Sequence, residues 1–291
     1  MGRATSSGKT YSYIMTVYDR EPELLLNVIR SLSRCDLTDS EVIIVNDGSN
    51  IKYDWARMCI EARIGEKAGK WIDIEPYEAA RIEGGYNNPA RAFNVALEAA
   101  TGDTVVVMSS EVLVTPRVVE RIRRFDQKQF CWTPMVIDIE SAMQYCGPVR
   151  FFPAPWCLAV DRKLCLEIGG WDETYLKGQC YEDNDFMGRI MLKTGAVMGD
   201  WTVIAYHQSH RQPAYETSEN DQTAKLSSIN FEYTKAKWAG GIPFHPEWTA
   251  FDVLRKPHRS GDVIHECVDH DGLLNATIAK TTGLIADLVK A

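Results

Sequence analysis

No apolar run in the 291-residue chain is long enough to span a bilayer, and the opening Met1–Lys9 is small and polar rather than a secretory leader. Both absences point to a cytoplasmic protein, or to one brought to its site by a partner. Basic charge is also short: Lys+Arg number 32 against Asp+Glu 40, for a net charge of −8. An acidic chain is a poor general binder of nucleic acid, although a local basic groove is compatible with that balance. The eight cysteines include no Cys-x-x-Cys pair, and several sit in apolar runs such as Trp156-Cys157-Leu158. That pattern fits buried free thiols in a reducing compartment better than a disulfide framework. No internal repeat is present. Gly2 through Gly8-Lys9-Thr10 imitates a phosphate-binding loop, but its glycines are one residue too far apart and no strand precedes them. Asn275-Ala276-Thr277 matches a glycosylation sequon with nothing else to suggest secretion.

What is present is a sizeable core. Apolar residues make up 45% and charged residues 25% of the chain, enough for one large α/β domain or two small ones. The first hundred residues alternate β-rich apolar runs with helical patterns. Strands are expected at Tyr11–Val17, Glu41–Asn46, Trp71–Glu75 and Thr104–Met108. Helices are expected at Glu21–Arg34, Asp54–Ala68, Pro89–Ala100 and Thr115–Phe125, with Pro22 and Pro116 in first turns. This alternation implies a mostly parallel sheet flanked by helices, with ligands at the carboxyl ends of its strands. That edge would hold Tyr18-Asp19, Asp47-Gly48-Ser49 and Ser109-Ser110-Glu111. The second half is less regular: extended from Phe130 to Ile137, loop-like from Glu140 to Pro155, a strand at Trp156–Val160 and a short helix at Arg162–Ile168. A strand at Val197–Tyr206 precedes a polar loop, a helix over Thr223–Trp238 and a terminal helix over Leu273–Val289.

The segment Tyr181-Glu182-Asp183-Asn184-Asp185-Phe186-Met187-Gly188-Arg189-Ile190 carries the sharpest local signal. On a helix, at roughly 100° per residue, Phe186, Met187, Ile190 and Met191 form one apolar stripe. Glu182, Asp185 and Arg189 fall on the opposite, solvated face, with Asp185 and Arg189 spaced for an ion pair. Asp183 lies inside the apolar stripe, in the first turn. It is either a cap for backbone amides or a carboxylate held in the core for a purpose.

Five blocks, taken in order, resemble the inverting GT-A glycosyltransferases of the family 2 type. They are Tyr13–Arg20, Glu41–Ser49 (EVIIVNDGS), Asn88–Asn94 with Ala99–Asp103, Gly169-Gly170-Trp171-Asp172-Glu173, and Tyr181–Asp185. The likeness runs from about Tyr11 to His210. It implies a flexible tail at 1–10 and a GT-A domain at 11–210. The domain has a nucleotide-binding half (11–111) and an acceptor and catalytic half (112–210), and a C-terminal loop and helical extension follows at 211–291. It also implies transfer of a sugar from a UDP-sugar to an acceptor hydroxyl with inversion, assisted by Mn²⁺ or Mg²⁺.

Under that resemblance Thr16, Tyr18, Asp47, Arg91 and Asn94 contact the nucleotide, with Arg91 suited to the diphosphate. Asp183 deprotonates the acceptor, while Trp156, Trp171 and Glu182 meet the acceptor; core packing is the competing fate of the two tryptophans. The metal motif departs from the family. Where an Asp-x-Asp is usual after the fourth strand, Ser109-Ser110-Glu111 leaves one carboxylate, so the ion would be weakly held by Glu111, His207 and the donor diphosphate. That departure keeps open a second reading, a degenerate GT-A module that binds nucleotide or glycan without transfer. A sugar-nucleotidyltransferase is a third, but its Gly-rich opening is missing. The acceptor stays open between a glycan, a small molecule and a modified phage DNA base.

Overall fold

The computed structural model describes residues 8–64, 69–75, 87–124, 131–147, 156–194, 197–210 and 221–238. Its strands are β1 (Tyr11–Val17), β2 (Ser40–Asp47), β3 (Gly69–Ile74), β4 (Thr104–Ser109), β5 (Val112–Leu113), β6 (Cys131–Asp138), β7 (Gln144–Cys146), β8 (Cys157–Asp161) and β9 (Val197–His207). Its helices are α1 (Pro22–Ser33), α2 (Trp55–Ala62), α3 (Ala90–Ala99), α4 (Pro116–Arg124), α5 (Arg162–Glu167), α6 (Glu182–Thr194) and α7 (Asp221–Trp238), with a 3₁₀ turn at Glu173–Lys177. One nine-stranded sheet runs in the order β3-β2-β1-β4-β8-β6-β9-β5, with β7 paired to β6.

The expected alternation is realised, with the sheet parallel in its first half and mixed in its second. β1 pairs in parallel with β2 and β4, and β2 with β3. β8 then enters antiparallel between β4 and β6. The apolar runs are continuous because both faces are covered. Tyr13, Met15, Val17, Val42, Ile44, Val106 and Met108 face one buried cluster with α1 and α4. Ile14, Ile43, Val45, Val105 and Val107 face a second cluster with α3 and α6. Each such side chain contributes roughly 1.5–3 kcal/mol on burial, so a one-residue register slip would exchange the two faces at high cost.

Two boundaries differ from expectation. The Asp54 helix stops at Ala62 rather than Ala68, because Arg63 takes a left-handed conformation (φ 57°) that closes it. The expected loop at Glu140–Pro155 contains the short strand β7. The terminal helix at Leu273–Val289, the sequon and most of the 1–10 tail lie outside the described residues. All seven cysteines in the described residues are free thiols, five of them buried. Among these residues no helix is long and apolar enough to cross a membrane.

The amino ends of the strands are tied by a polar knot. Glu41 Oε1 accepts from Ser12 Oγ (2.8 Å), Thr101 N (2.7 Å) and Thr101 Oγ1 (2.7 Å), and Lys70 pairs with Oε2 at 2.7 Å. Partial burial alone would raise the Glu41 pKa, but these partners outweigh it and hold it at about 2. Two of the sequence blocks, Glu41–Ser49 and Ala99–Asp103, therefore begin as structural fastenings.

A second fastening joins α3 to the Gly169-Gly170-Trp171 turn. Asn94 Oδ1 accepts from Trp171 N (2.7 Å), and its amide donates to Trp171 O and to Glu173 Oε1, both at 2.9 Å. Gly169 and Gly170 both have positive φ (83° and 64°). A Cβ on Gly170 would sit 2.4 Å from Asn94 Oδ1, whereas one on Gly169 would meet nothing within 4 Å. Gly169→Ala should therefore lose only about 1 kcal/mol, the cost of the left-handed backbone. Gly170→Ala should lose more, roughly 2–4 kcal/mol, by adding a clash with a fully committed amide. Urea denaturation of the pair checks this; equal losses would show that Asn94 yields freely.

Candidate active site

The register β1 shares with its neighbours sets Val17 opposite Asn46 and Thr16 opposite Ser109. Three strands therefore end at one edge. Thr16 and Tyr18 are half-buried there. Asp47 is buried and accepts from Asn87 Nδ2 at 2.7 Å, and Gly48 turns the chain away with φ 67°. Arg91 lies on the first turn of α3 and reaches Glu75 O (3.3 Å) beyond the end of β3. Asp19 (φ 44°) clasps the neighbouring loop, accepting from Asn50 N (2.6 Å), Ile51 N (3.2 Å) and Asn50 Nδ2 (2.8 Å).

β9 delivers its carboxyl end to the same edge. Val112 of β5 pairs with His207, and Gln208 N donates to Glu111 O (2.9 Å). Ligand-capable atoms of Glu111, His207 and His210 all lie within 4.8 Å of one another. His207 is 1% exposed, and its Nδ1 faces Asp138 Oδ2 at 3.2 Å, leaving Nε2 with its lone pair. Asp138 is itself fixed by Ser209 Oγ (2.7 Å), Ser141 N (2.9 Å) and Ser141 Oγ (2.8 Å). Burial opposes its ionisation, but these donors bring its pKa to about 2, so it stays anionic. A carboxylate that orients an imidazole in this way is the usual support of a metal-binding histidine. Burial lowers the His207 pKa, favouring the neutral ligand form.

Glu111 already has a cation. Arg20 Nε stands 2.5 Å from Oε1, and Arg20 Nη1 donates to His210 Nδ1 at 2.7 Å. The Ser109 hydroxyl donates to Oε2, and His210 Nε2 lies 3.9 Å from Oε1. Burial alone would raise the Glu111 pKa, but Arg20 and then His210 outweigh it and hold the carboxyl below its ordinary range. Trp156, at the start of β8, packs edge-on against His207 (5.6 Å between centroids) and tilted against Tyr145 (4.9 Å).

Asp183 occupies the first turn of α6 and is half-buried. Its Oδ1 is sealed from solvent without a hydrogen bond among the described residues. Burial pushes its pKa up to about 7, and the nearby Trp171 indole opposes only part of the rise. The other acids of this helix are not on a solvated face, which corrects the helical-wheel expectation. Glu182 is 3% exposed and accepts from Asn88 Nδ2 (2.9 Å). Asp185 is 1% exposed and meets Arg189 Nε (2.8 Å), Lys237 Nζ (2.7 Å) and Trp238 Nε1 (3.0 Å). The reason is tertiary cover that the wheel does not see: α7 reaches Asp185 through Lys237 and Trp238, and Asn88 meets Glu182.

Three of the expected site residues are already engaged within the protein. Glu182 accepts from Asn88. Trp171 is stacked between Phe93 (4.7 Å, 17°) and Phe186 (3.7 Å, 8°), so neither ring face remains for a sugar. Asn94 spends its amide on the Gly-Gly-Trp turn rather than on a nucleotide. Sequence reasoning missed Arg20, Asn87 and Asp138, which acquire their roles through contacts 40 to 190 residues away in the chain. His210 was visible only as a second histidine near His207.

With this geometry in place, the comparisons with known proteins are informative. The fold is GT-A. Residues 12–137, a little under half of the chain, match the family model of Glycosyl transferase family 2. Staphylococcus aureus TarS 1–349, solved with UDP-GlcNAc, superposes with a TM-score of 0.58 at 14% identity, covering 78% of this chain and 66% of that one. GalNAc-T7, solved with UDP, GalNAc and Mn²⁺, gives 0.54 at 13% identity, covering 96% and 55%. The mannosyltransferase PcManGT of Pyrobaculum calidifontis, solved with GDP-Man and Mn²⁺, gives 0.52 at 13% identity, covering 97% and 85%. This GT-A chain thus spans just under two thirds of the TarS fragment. No curated protein matches it in sequence.

The Asp183 environment makes a prediction about stability. Its folded pKa, about 7, lies above the ordinary 3.8. The folded state therefore holds a proton that the unfolded state has released, and stability falls as pH rises from about 4 to about 7. Asp183→Asn removes that penalty, which is a few kcal/mol at most. The variant should be more stable than wild type at pH 8, with the difference shrinking toward pH 4.5 in urea titrations. A backbone-capping Asp would give the opposite sign.

Proposed function

We propose that the chain is an inverting glycosyltransferase that moves a sugar from a UDP-sugar to an acceptor hydroxyl. The observation that carries this reading is Asp183: a half-buried carboxylate whose Oδ1 is sealed from solvent without a hydrogen bond, and whose pKa is pushed up to about 7. A structural acid would be paired, as Asp185 is; a general base works best when its pKa lies near the working pH. GT-A neighbours solved with UDP, with UDP-GlcNAc and with GDP-Man support a nucleotide-sugar donor.

The donor's nucleotide lies along the edge of β1, β2 and β3. Asp47, oriented by Asn87, accepts from the imide N–H of the uracil ring, and Gly48 leaves room for close approach. Thr16 and Tyr18 line the base, and the Arg91 guanidinium suits phosphate oxygens. Glu111 and His207, with His210 beside them, form an oxygen and nitrogen donor set that suits Mn²⁺ or Mg²⁺. A divalent cation held there supplies charge stabilisation to the departing diphosphate. Asp183 takes the proton from the acceptor hydroxyl as that oxygen attacks the anomeric carbon from the face opposite the diphosphate. The configuration inverts, and the bond to the diphosphate oxygen breaks. The Trp171 indole beside Asp183 helps set its basicity, while the Phe93–Trp171–Phe186 stack keeps that flank dry.

A binding-only module is the second reading, and the Arg20–Glu111 pair favours it by filling the cation position with a side chain. An Asp183 with a sealed, unbonded Oδ1 and a raised pKa has no use in such a module. Calorimetry with UDP, GDP and CDP should show UDP bound most tightly, and Asp47→Ala should remove that preference. Asp183→Asn should keep donor affinity and lose about 100- to 10,000-fold in kcat. In wild type kcat should fall as pH drops below about 7, where Asp183 takes up its proton. Near-full turnover by the variant, or a product of retained configuration, overturns the assignment.

A further inference from the structure

The ionic pair that fills the Glu111 cluster has a consequence for cation binding. Arg20 sits three residues beyond the end of β1. Its guanidinium spans two members of the cluster, with Nε 2.5 Å from Glu111 Oε1 and Nη1 2.7 Å from His210 Nδ1. A divalent ion sharing Glu111 Oε1 and a nitrogen of His210 would need the space and the lone pairs that Arg20 occupies. The Arg20 backbone is held independently of its side chain: Arg20 N donates to the Tyr53 hydroxyl oxygen at 2.9 Å, and Arg20 O accepts from the Tyr53 O–H at 2.6 Å. The side chain can therefore leave while the loop stays in place.

We infer that Arg20 is a built-in counter-cation that competes with a divalent metal ion for Glu111 and His210, and gives way when the ion arrives with a nucleotide diphosphate. The inference rests on the reading of Glu111, His207 and His210 as a cation site. It gives Glu111, 5% exposed, a charge partner before an ion binds. It also couples ion and nucleotide. The released guanidinium presents a planar fork that suits phosphate oxygens, at the same edge as Asp47 and Tyr18. Displacing Arg20 costs an ion pair, and the diphosphate replaces that partner. The free protein should hold the ion loosely, and the nucleotide complex tightly.

Mn²⁺ titration, followed by calorimetry and by the electron paramagnetic resonance signal of the free ion, tests this on the full chain with and without UDP. Arg20→Gln removes the charge, and Arg20→Met removes it while keeping an apolar stem in case the first variant folds poorly. Both should bind Mn²⁺ alone roughly tenfold or more tightly than wild type, since a buried competing charge is gone. UDP should tighten Mn²⁺ binding in wild type more than in either variant. Glu111→Gln should abolish Mn²⁺ binding in every background. Unchanged or weaker Mn²⁺ affinity in both Arg20 variants, with wild type still binding, overturns the competition and leaves the cation site standing. Absence of Mn²⁺ binding in all forms, with UDP present, overturns both.

Discussion

Hydrogen-bonded register between β1 and its two neighbours puts Val17 level with Asn46 and Thr16 level with Ser109, and the site depends on that alignment. Because the three strands are parallel, their polar exits are stacked side by side rather than distributed over both ends of the sheet. Because both faces are buried, the register cannot slip without turning Met15, Ile44 and Met108 out of one core and into the other. The antiparallel β8 then brings Trp156 to this edge, with Ser109 N donating to Trp156 O at 3.1 Å. The β5–β9 ladder brings His207 and His210. Side chains more than ninety residues apart meet with no long loop needed to carry them.

The legible part of this arrangement was the part written in local patterns. Continuous apolar runs located β1, β2 and β4, and Pro22 and Pro116 marked helix starts. Asp183 was visible because an acid inside an apolar stripe contradicts its surroundings within one helical turn. Glu111 and His207 could be paired from the order of the strands. What was hidden depended on partners far along the chain. Nothing near Arg20 says that it will face Glu111, and nothing near Asp138 says that it will orient His207. Some block members carry structural contacts that their motifs do not announce. Asn94, Trp171 and Glu182 stand within motifs shared with enzymes, yet their polar groups and ring faces are consumed in joining α3 to α6 and the glycine turn. Motif membership marks a residue as needed; it does not separate a ligand contact from a fastening.

Charge is treated unevenly across the two halves, and the contrast is informative. Glu41, Asp138, Asp172 and Glu111 are each surrounded by donors or cations that hold their pKa values down. Such groups are settled, and losing one partner would leave a costly buried charge. Asp183 differs: burial pushes its pKa up to about 7, with only the Trp171 indole opposing it. A protein stabilises this arrangement only through the packing around it, here the stacked rings of Phe93, Trp171 and Phe186.

Helix α7 completes that division. Lys237 reaches both Asp172 (2.6 Å) and Asp185 (2.7 Å), and Trp238 donates to Asp185. Tyr233 donates to Asp172 at 2.7 Å, and Asn230 caps Tyr175 O and Cys180 O. These contacts tie residues 221–238 to the block that precedes and contains α6, so the helix packs as part of that block. Its Lys237 goes to Asp185, two residues from Asp183. Had Lys237 faced Asp183 instead, the nearby positive charge would have lowered that pKa and settled the proton. By carrying Lys237 to Asp185 rather than to Asp183, α7 leaves burial as the main influence on the Asp183 pKa, which suits the base role proposed for it.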